Sequence, residues 1–223
     1  MLGFSKIDQI KGWHDDIILE ETLKALNKNG FNAKYFKTSE ECKKYLLNII
    51  NMDDTVSCGG SATLAQLNVI EELEKRGNNV IHSFKEGMTK EEQFEVMRKG
   101  MTVDIFLSST NAITRNGKLY FVDGIGNRVS SIVFGPKKTI IVSGINKIVS
   151  NIEAAELRVK EYAAPMNIRR YYKEGRKLPP CALAGKCCKC KPPLRVCNMK
   201  LILESKPGAI EFETLIIDEE IGF

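Results

Sequence analysis

The sequence predicts an α/β protein: a mostly parallel sheet with helices on both faces, followed by a cysteine-rich segment and a closing hairpin. Three observations carry this. Short runs rich in Val, Ile and Phe alternate with amphipathic stretches of helical period. The strand 138–142 carries the apolar run Ile140-Ile141-Val142, as expected for a strand buried on both faces. From residue 175 the alternation gives way to Pro, Gly, Lys and Cys. The expected organisation is an α/β domain over 1–174, a metal or cluster segment over 175–198, and C-terminal strands over 199–223 packed on the α/β domain.

In chain order, Ile17, Ile18, Leu23 and Leu26 are spaced for a helix that stops at Gly30, and a strand is expected over 31–36. Ser39 is read as the cap of a second helix reaching residue 50. A short strand over 55–57 runs into Cys58-Gly59-Gly60-Ser61-Ala62-Thr63, and a helix follows over 63–76 to Gly77. After a strand at 79–82, Thr89 opens a helix over 90–99 with Glu92 as its capping-box partner. The strand 103–107 ends in the polar turn Ser108-Ser109-Thr110-Asn111, and Asn116-Gly117 signals a hairpin. Residues 120–122 lead to a second glycine-rich turn and a helical stretch to Phe134. After the strand 138–142 comes a helix over 151–163. Strands over 199–204 and 210–218 flank Lys206-Pro207-Gly208 as the closing hairpin.

With 223 residues, 43% hydrophobic and 27% charged, the chain can build a core without disulfides. Its net charge of +5 is spread rather than clustered, which argues against a nucleic-acid partner. The one basic run, 160–177, with Arg169, Arg170, Lys173, Arg176 and Lys177, reads as a solvated helix end and linker. No apolar stretch approaches the roughly 18 residues of a membrane span, and no signal peptide is visible, so a cytoplasmic location is expected. There, seven cysteines are expected to be thiols or metal ligands rather than disulfides.

The turn Gly59-Gly60-Ser61-Ala62-Thr63 lies where a strand hands over to a helix. Free N–H groups and the hydroxyls of Ser61 and Thr63 suit an anion, or the turn simply caps the helix. It matches neither the dinucleotide fingerprint nor a P-loop, and no nicotinamide or flavin motif is visible. Thr110 and Asn111 end another strand, and Asp123-Gly124-Ile125-Gly126-Asn127-Arg128 forms the second glycine-rich turn. Ligands of open α/β sheets bind beyond the carboxyl ends of strands, so the three turns are expected to converge on one crevice. Arg128 suits a carboxylate or phosphate. Asp123 suits a base, a hydrogen-bond acceptor for a ligand, or an orienter of Arg128.

Cys181, Cys187, Cys190 and Cys197 have the spacing C-x5-C-x2-C-x6-C, with Cys188 as an extra thiol and Lys186, Lys189, Lys191 and Arg195 nearby. Soft thiolates in a basic segment suit zinc or an iron–sulfur cluster. Cys42 reads as a small core residue. Cys58, beside a helix N-terminus, is a candidate reactive thiol. His14 and His82 are expected to have surface or packing roles.

Five central motifs together resemble the LUD-domain (lactate-utilisation, LutC/YkgG-like) family. They are Gly59-Gly60-Ser61-x-Thr63, Ser109-Thr110-Asn111-Ala112-Ile113-Thr114, Val122-Asp123-Gly124-x-Gly126-Asn127-Arg128-Val129, Phe134-Gly135-Pro136-Lys137-Lys138 and Gly144-x-Asn146-Lys147-Ile148-Val149. Ala163-Ala164-Pro165-Met166-Asn167 and the cysteine stretch resemble its cysteine-bearing single-domain members; Cys188 and Lys191-Pro192-Pro193 depart from that pattern. The resemblance implies a fold related to sugar-phosphate isomerases, coenzyme A transferases and folate-cyclising synthetases, which bind phosphates or carboxylates at a Gly-Ser-Thr turn. It also implies a link to an iron–sulfur system that oxidises L-lactate to pyruvate. Three functions follow as expectations. The first is a component of 2-hydroxy-acid utilisation that binds a small anionic metabolite and works with an iron–sulfur redox partner. The second is a stand-alone enzyme on a phosphorylated or CoA-type substrate. The third is a non-enzymatic metal-bearing binding module.

Overall fold

The computed structural model describes residues 4–171 and 178–223. Lys173, Arg176 and Lys177 of the basic run, and the expected boundary at 174/175, lie outside the described residues. The elements are α1 (Phe4–Lys28), β1 (Ala33–Phe36), α2 (Ser39–Ile49), β2 (Thr55–Cys58), α3 (Ala62–Leu67), α4 (Val69–Arg76), β3 (Asn79–Ile81) and α5 (Lys90–Lys99). Then come β4 (Ile105–Ser108), β5 (Ala112–Thr114), β6 (Leu119–Asp123), α6 (Asn127–Val133), β7 (Lys138–Gly144), β8 (Ile148–Val149), α7 (Ile152–Arg158), α8 (Ala164–Arg169), α9 (Cys181–Ala184), β9 (Met199–Leu203) and β10 (Glu211–Ile217).

Among the described residues, six strands form a sheet in the order β1-β10-β7-β4-β2-β3, parallel throughout. Four more form a second, mixed sheet, β8-β5-β6-β9. Alternation along the parallel strands fills two cores. Leu107, Ile140, Val142, Leu215 and Ile217 pack with Leu46, Leu64 and Leu73 of the helices on one face. Phe106, Ile141 and Ile216 point the other way, to Leu26 of α1, Ile132 of α6 and Ile113, Leu119 and Phe121 of the second sheet. That sheet is covered in turn where Ala112 and Tyr120 meet Ala155 and Val159. The expected parallel α/β architecture is therefore present, with a small sheet joining the helices on one face. No described helix is long and apolar enough to cross a membrane.

Several expectations are corrected. The closing strands form no hairpin: β9 pairs antiparallel with β6, while β10 enters the main sheet between β1 and β7. Both faces of Phe212–Ile217 are buried, so β10 needs neighbours on both edges, which the short connection to β9 cannot supply. Helix α1 starts at Phe4 rather than near residue 17, because its first turns expose Ile10 and Trp13 and thus show no core-facing stripe. Thr38, not Ser39, caps α2, its side chain accepting from the Glu41 N–H. The helix expected over 63–76 breaks at Asn68, which adopts a left-handed conformation, φ 55°. The helix expected to end at 163 continues through a π-helical turn, Val159–Ala163, into α8. Pro165 is tolerated there because it falls in the first turn of α8.

The Thr89–Glu92 capping box and the Asn116-Gly117 hairpin form as expected. Gly117 has φ +77°, and Asn29 at the end of α1 donates to the Gly117 carbonyl at 2.8 Å. A Cβ at Gly117 would come within 2.5 Å of the Ala25 carbonyl carbon. Gly117→Ala therefore meets both an unfavourable φ, which costs about 1–3 kcal/mol, and a clash with helix backbone. A lowered urea midpoint with an unchanged slope is the expected result.

Candidate active site

Strands β7, β4 and β2 lie side by side and parallel, so Gly144, Ser108 and Cys58 end at one edge of the sheet. The chain beyond each contributes to one cavity of about 500 Å³, and β6 delivers Asp123 to it from the second sheet. Gly60, Ser61, Thr63, Thr110, Asn111, Asp123, Gly124, Asn127 and Arg128 all line it, so the three turns do converge. Gly59 and Gly126 stand behind the wall: a Cβ at Gly59 would lie 2.9 Å from Arg128 Cδ, and one at Gly126 would lie 3.4 Å from Met199 Sδ.

The two adjacent glycines serve side chains as well as any ligand. Arg128 lies over Gly59, and Arg170 lies over Gly60, donating to the Gly60 carbonyl at 3.1 Å and to the Tyr171 hydroxyl at 2.6 Å. Side chains at either position would push an arginine away. Ser61 caps α3, its Oγ accepting from the Leu64 N–H at 3.2 Å. Thr110 Oγ1 lies 2.8 Å from the carbonyls of both Ala112 and Tyr120, and Asn111 Oδ1 accepts from the Val122 N–H at 2.8 Å. These three side chains therefore build the rim.

Asp123 is committed too. Its Oδ1 accepts from the N–H groups of Gly124, Ile125 and Gly126 at 2.6, 3.3 and 3.4 Å, and its Oδ2 accepts from Val129 at 3.1 Å. Arg128 Nε lies 3.6 Å from the same Oδ2, and its Nη2 donates to the Val122 carbonyl. With both oxygens satisfied, Asp123 is arranged as a brace for the turn and for Arg128 rather than as a base. Burial works against the Arg128 charge, and the Asp123 carboxylate partly offsets that.

Sequence reasoning missed Lys147. It ends the 3-10 turn Ile145–Lys147 after β7, is 1% exposed, and donates from Nζ to Thr63 Oγ1 at 2.7 Å and Ser109 Oγ at 2.9 Å. Burial, reinforced by the charges of Arg158 and Arg128, brings its pKa from 10.5 down to about 7. The available signal was a lysine set among Ile145, Ile148 and Val149 just after a buried strand. Arg170 was missed because it stands in a run that reads as solvated surface.

The cysteine segment forms another wall, with Pro193, Leu194, Val196 and Cys197 lining the cavity. Asn198 ties it down, its N–H donating to the Asp123 carbonyl and its side-chain amide to the Gly124 carbonyl, each at 2.9 Å. Burial pushes the Cys181 thiol up to about 11, and charges on Cys190, Cys197, Cys188 and Cys187 add to that, so the five thiols share one neighbourhood. Cys197 is raised by burial and then by Cys187 and Cys190. A soft cation would reverse this mutual repulsion, so the donor chemistry fits zinc or an iron–sulfur cluster. Among the described residues, however, no three His, Cys, Asp or Glu side chains are gathered as ligands of one ion. Cys58 lines the cavity but is only 8% exposed, and burial, with Glu71 and Glu74 adding, pushes its thiol up to about 12 rather than lowering it as a helix N-terminus would. Cys42 is fully buried in the core, as expected.

A family model described as LUD domain matches residues 19–217. A DUF162 family protein from Deinococcus radiodurans shares the fold with a TM-score of 0.52 at 11% identity, over 92% of this chain and 98% of that one. Ribose 5-phosphate isomerase from Plasmodium falciparum aligns with a TM-score of 0.33 at 18% identity, over 51% of this chain and 52% of its own. No curated protein matches the sequence.

The depressed Lys147 pKa links stability to pH. The unfolded chain keeps this proton up to about pH 10.5, and the folded chain releases it near pH 7. Between these values the unfolded state binds more protons, so this group's contribution to stability rises with pH and is lost as pH falls through the window. Denaturation midpoints measured across that window should show a rise in the wild type that Lys147→Met flattens.

Proposed function

The chain belongs to the LUD-domain family, and from that we propose that its cavity binds the carboxylate of a small 2-hydroxy or 2-oxo acid, as a component of hydroxy-acid utilisation. One observation carries the reading. Arg128 and Arg170 line the cavity, and Asp123, the one Asp or Glu side chain among its lining residues, already has its oxygens taken by backbone N–H groups. Cationic groups thus outnumber anionic ones in a partly enclosed space, and an anionic guest completes the balance.

In this reading Arg128 is the principal anchor. Asp123 orients its guanidinium, and Gly59 lets it lie flat on the turn. Arg170 closes over Gly60 as a second cation at the more open side. Val122, Ile125 and Phe84 supply apolar surface for the carbon end of a short acid. The cysteine segment belongs to the same proposal. Cys181, Cys187, Cys190 and Cys197 would hold an iron–sulfur cluster or zinc, and a cluster there would supply an electron acceptor beside the cavity. Electrons from a hydroxy acid would leave through an iron–sulfur partner protein.

Two measurements test this. Lactate or pyruvate at millimolar concentration is expected to raise the melting temperature, and Arg128→Lys to abolish the shift, because an ammonium cannot reproduce the guanidinium fork. Silence with both acids sinks the reading; a response confined to sugar phosphates or acyl-CoA esters moves it to a phosphorylated or CoA-type substrate. Protein purified without oxygen is expected to carry iron with acid-labile sulfide, or zinc, lost in the double variant Cys187→Ser, Cys190→Ser. A metal-free wild type would remove the metal from the proposal and leave the anion cavity standing.

A further inference from the structure

An anchoring cation belongs where it can meet a charge in water, but Lys147 is at the floor of the cavity, 1% exposed. Its amine faces Thr63 Oγ1 from α3 and Ser109 Oγ from the loop after β4, with those two oxygens 3.2 Å apart. The turn after β10 packs against the same place: a Cβ on Gly222 would lie 3.0 Å from Nζ. The charged groups acting on it are both cations, Arg158 from α7 and Arg128 from α6. Arg158 is held in place by the carbonyls of Asn111 and Asn146. Among the described residues no carboxylate forms an ion pair with Lys147. A desolvated lysine beside other cations and without a counter-ion loses its proton near neutrality, and its lone pair becomes a nucleophile.

We propose that Lys147 is the nucleophile of this cavity and forms an imine with the carbonyl carbon of a 2-oxo acid. This rests on the carboxylate-binding reading, since the arginines present the acid to the amine. The Nζ lone pair adds to the carbonyl carbon, forming the C–N bond, and the carbonyl π pair moves onto oxygen, which takes up a proton released by nitrogen. The resulting carbinolamine loses that oxygen as water with a second proton from nitrogen, and the C=N bond forms. Amine and ketone give imine and water, with no change of oxidation state. Thr63 and Ser109, each bonded to Nζ, are placed to pass these protons.

The test is reductive trapping on the full chain. Pyruvate with cyanoborohydride should leave one secondary-amine adduct, read by intact mass and located on Lys147 by peptide mapping. Lactate has the carboxylate but no carbonyl, so it should form no adduct and should suppress trapping by pyruvate. The trapping rate should rise as pH increases through about 7, where the amine becomes neutral. Lys147→Arg offers no nucleophilic amine and should lose the adduct; mapping of the wild type decides the matter even if that variant fails to fold. A pyruvate-dependent melting shift without an adduct at Lys147, or with adducts spread over surface lysines, overturns the imine and leaves the carboxylate site. Neither a shift nor an adduct overturns both.

Discussion

Strand β10 is the constraint on which the rest of the fold depends. It is the last strand in the chain, yet β1 reaches the main sheet only through it, and its other edge pairs with β7 over Glu211–Ile217. Leu215 and Ile217 complete one core and Ile216 the other, so one strand joins both layers. The residues beyond it run to the cavity. Glu219 accepts from the N–H and hydroxyl of Ser39 at the start of α2. Gly222 is held between Gln66 and Asn146 and lies against Thr63 and Lys147. Residues 211–222 therefore close the sheet and the floor of the site together.

Within that frame the cavity is organised by buried polar groups that satisfy one another. Asp123 gathers four backbone N–H groups and steadies Arg128, so its charge is spent inside the protein. Arg158 is fixed by two carbonyls, and Lys147 by two hydroxyls. An isolated buried ammonium is costly, and burial beside Arg158 and Arg128 brings the Lys147 pKa down to about 7. The arginines thus line the cavity with positive charge, and the Lys147 nitrogen lies buried at its floor.

The cysteine segment is joined to this arrangement through Asn198, which bonds both to the Asp123 carbonyl and to the Gly124 carbonyl, and through the Cys187 N–H, which donates to Lys160 in the π-helical turn. The turn that positions Arg128 and the segment that carries the thiols thus share a wall.

The sequence by itself determined the parallel α/β class, the Asn-Gly hairpin and the Thr89–Glu92 cap, and left the convergence of the three polar turns an expectation. Those features follow from hydrophobic period and local turn chemistry, which neighbouring residues decide. The LUD-domain resemblance was legible in the same motifs. Only the tertiary structure decided that β10 enters the main sheet, because strand partners are chosen by burial on both faces rather than by proximity in the chain. It also decided that both Asp123 oxygens are taken by backbone N–H groups and that burial raises the Cys58 thiol pKa: hydrogen-bond saturation and desolvation are properties of the folded surroundings. Lys147 shows the division most sharply. A lysine flanked by Ile145, Ile148 and Val149 does not reveal its own surroundings, and only Thr63, Ser109, Arg158 and Arg128, brought from four other parts of the chain, make it a buried amine of low basicity.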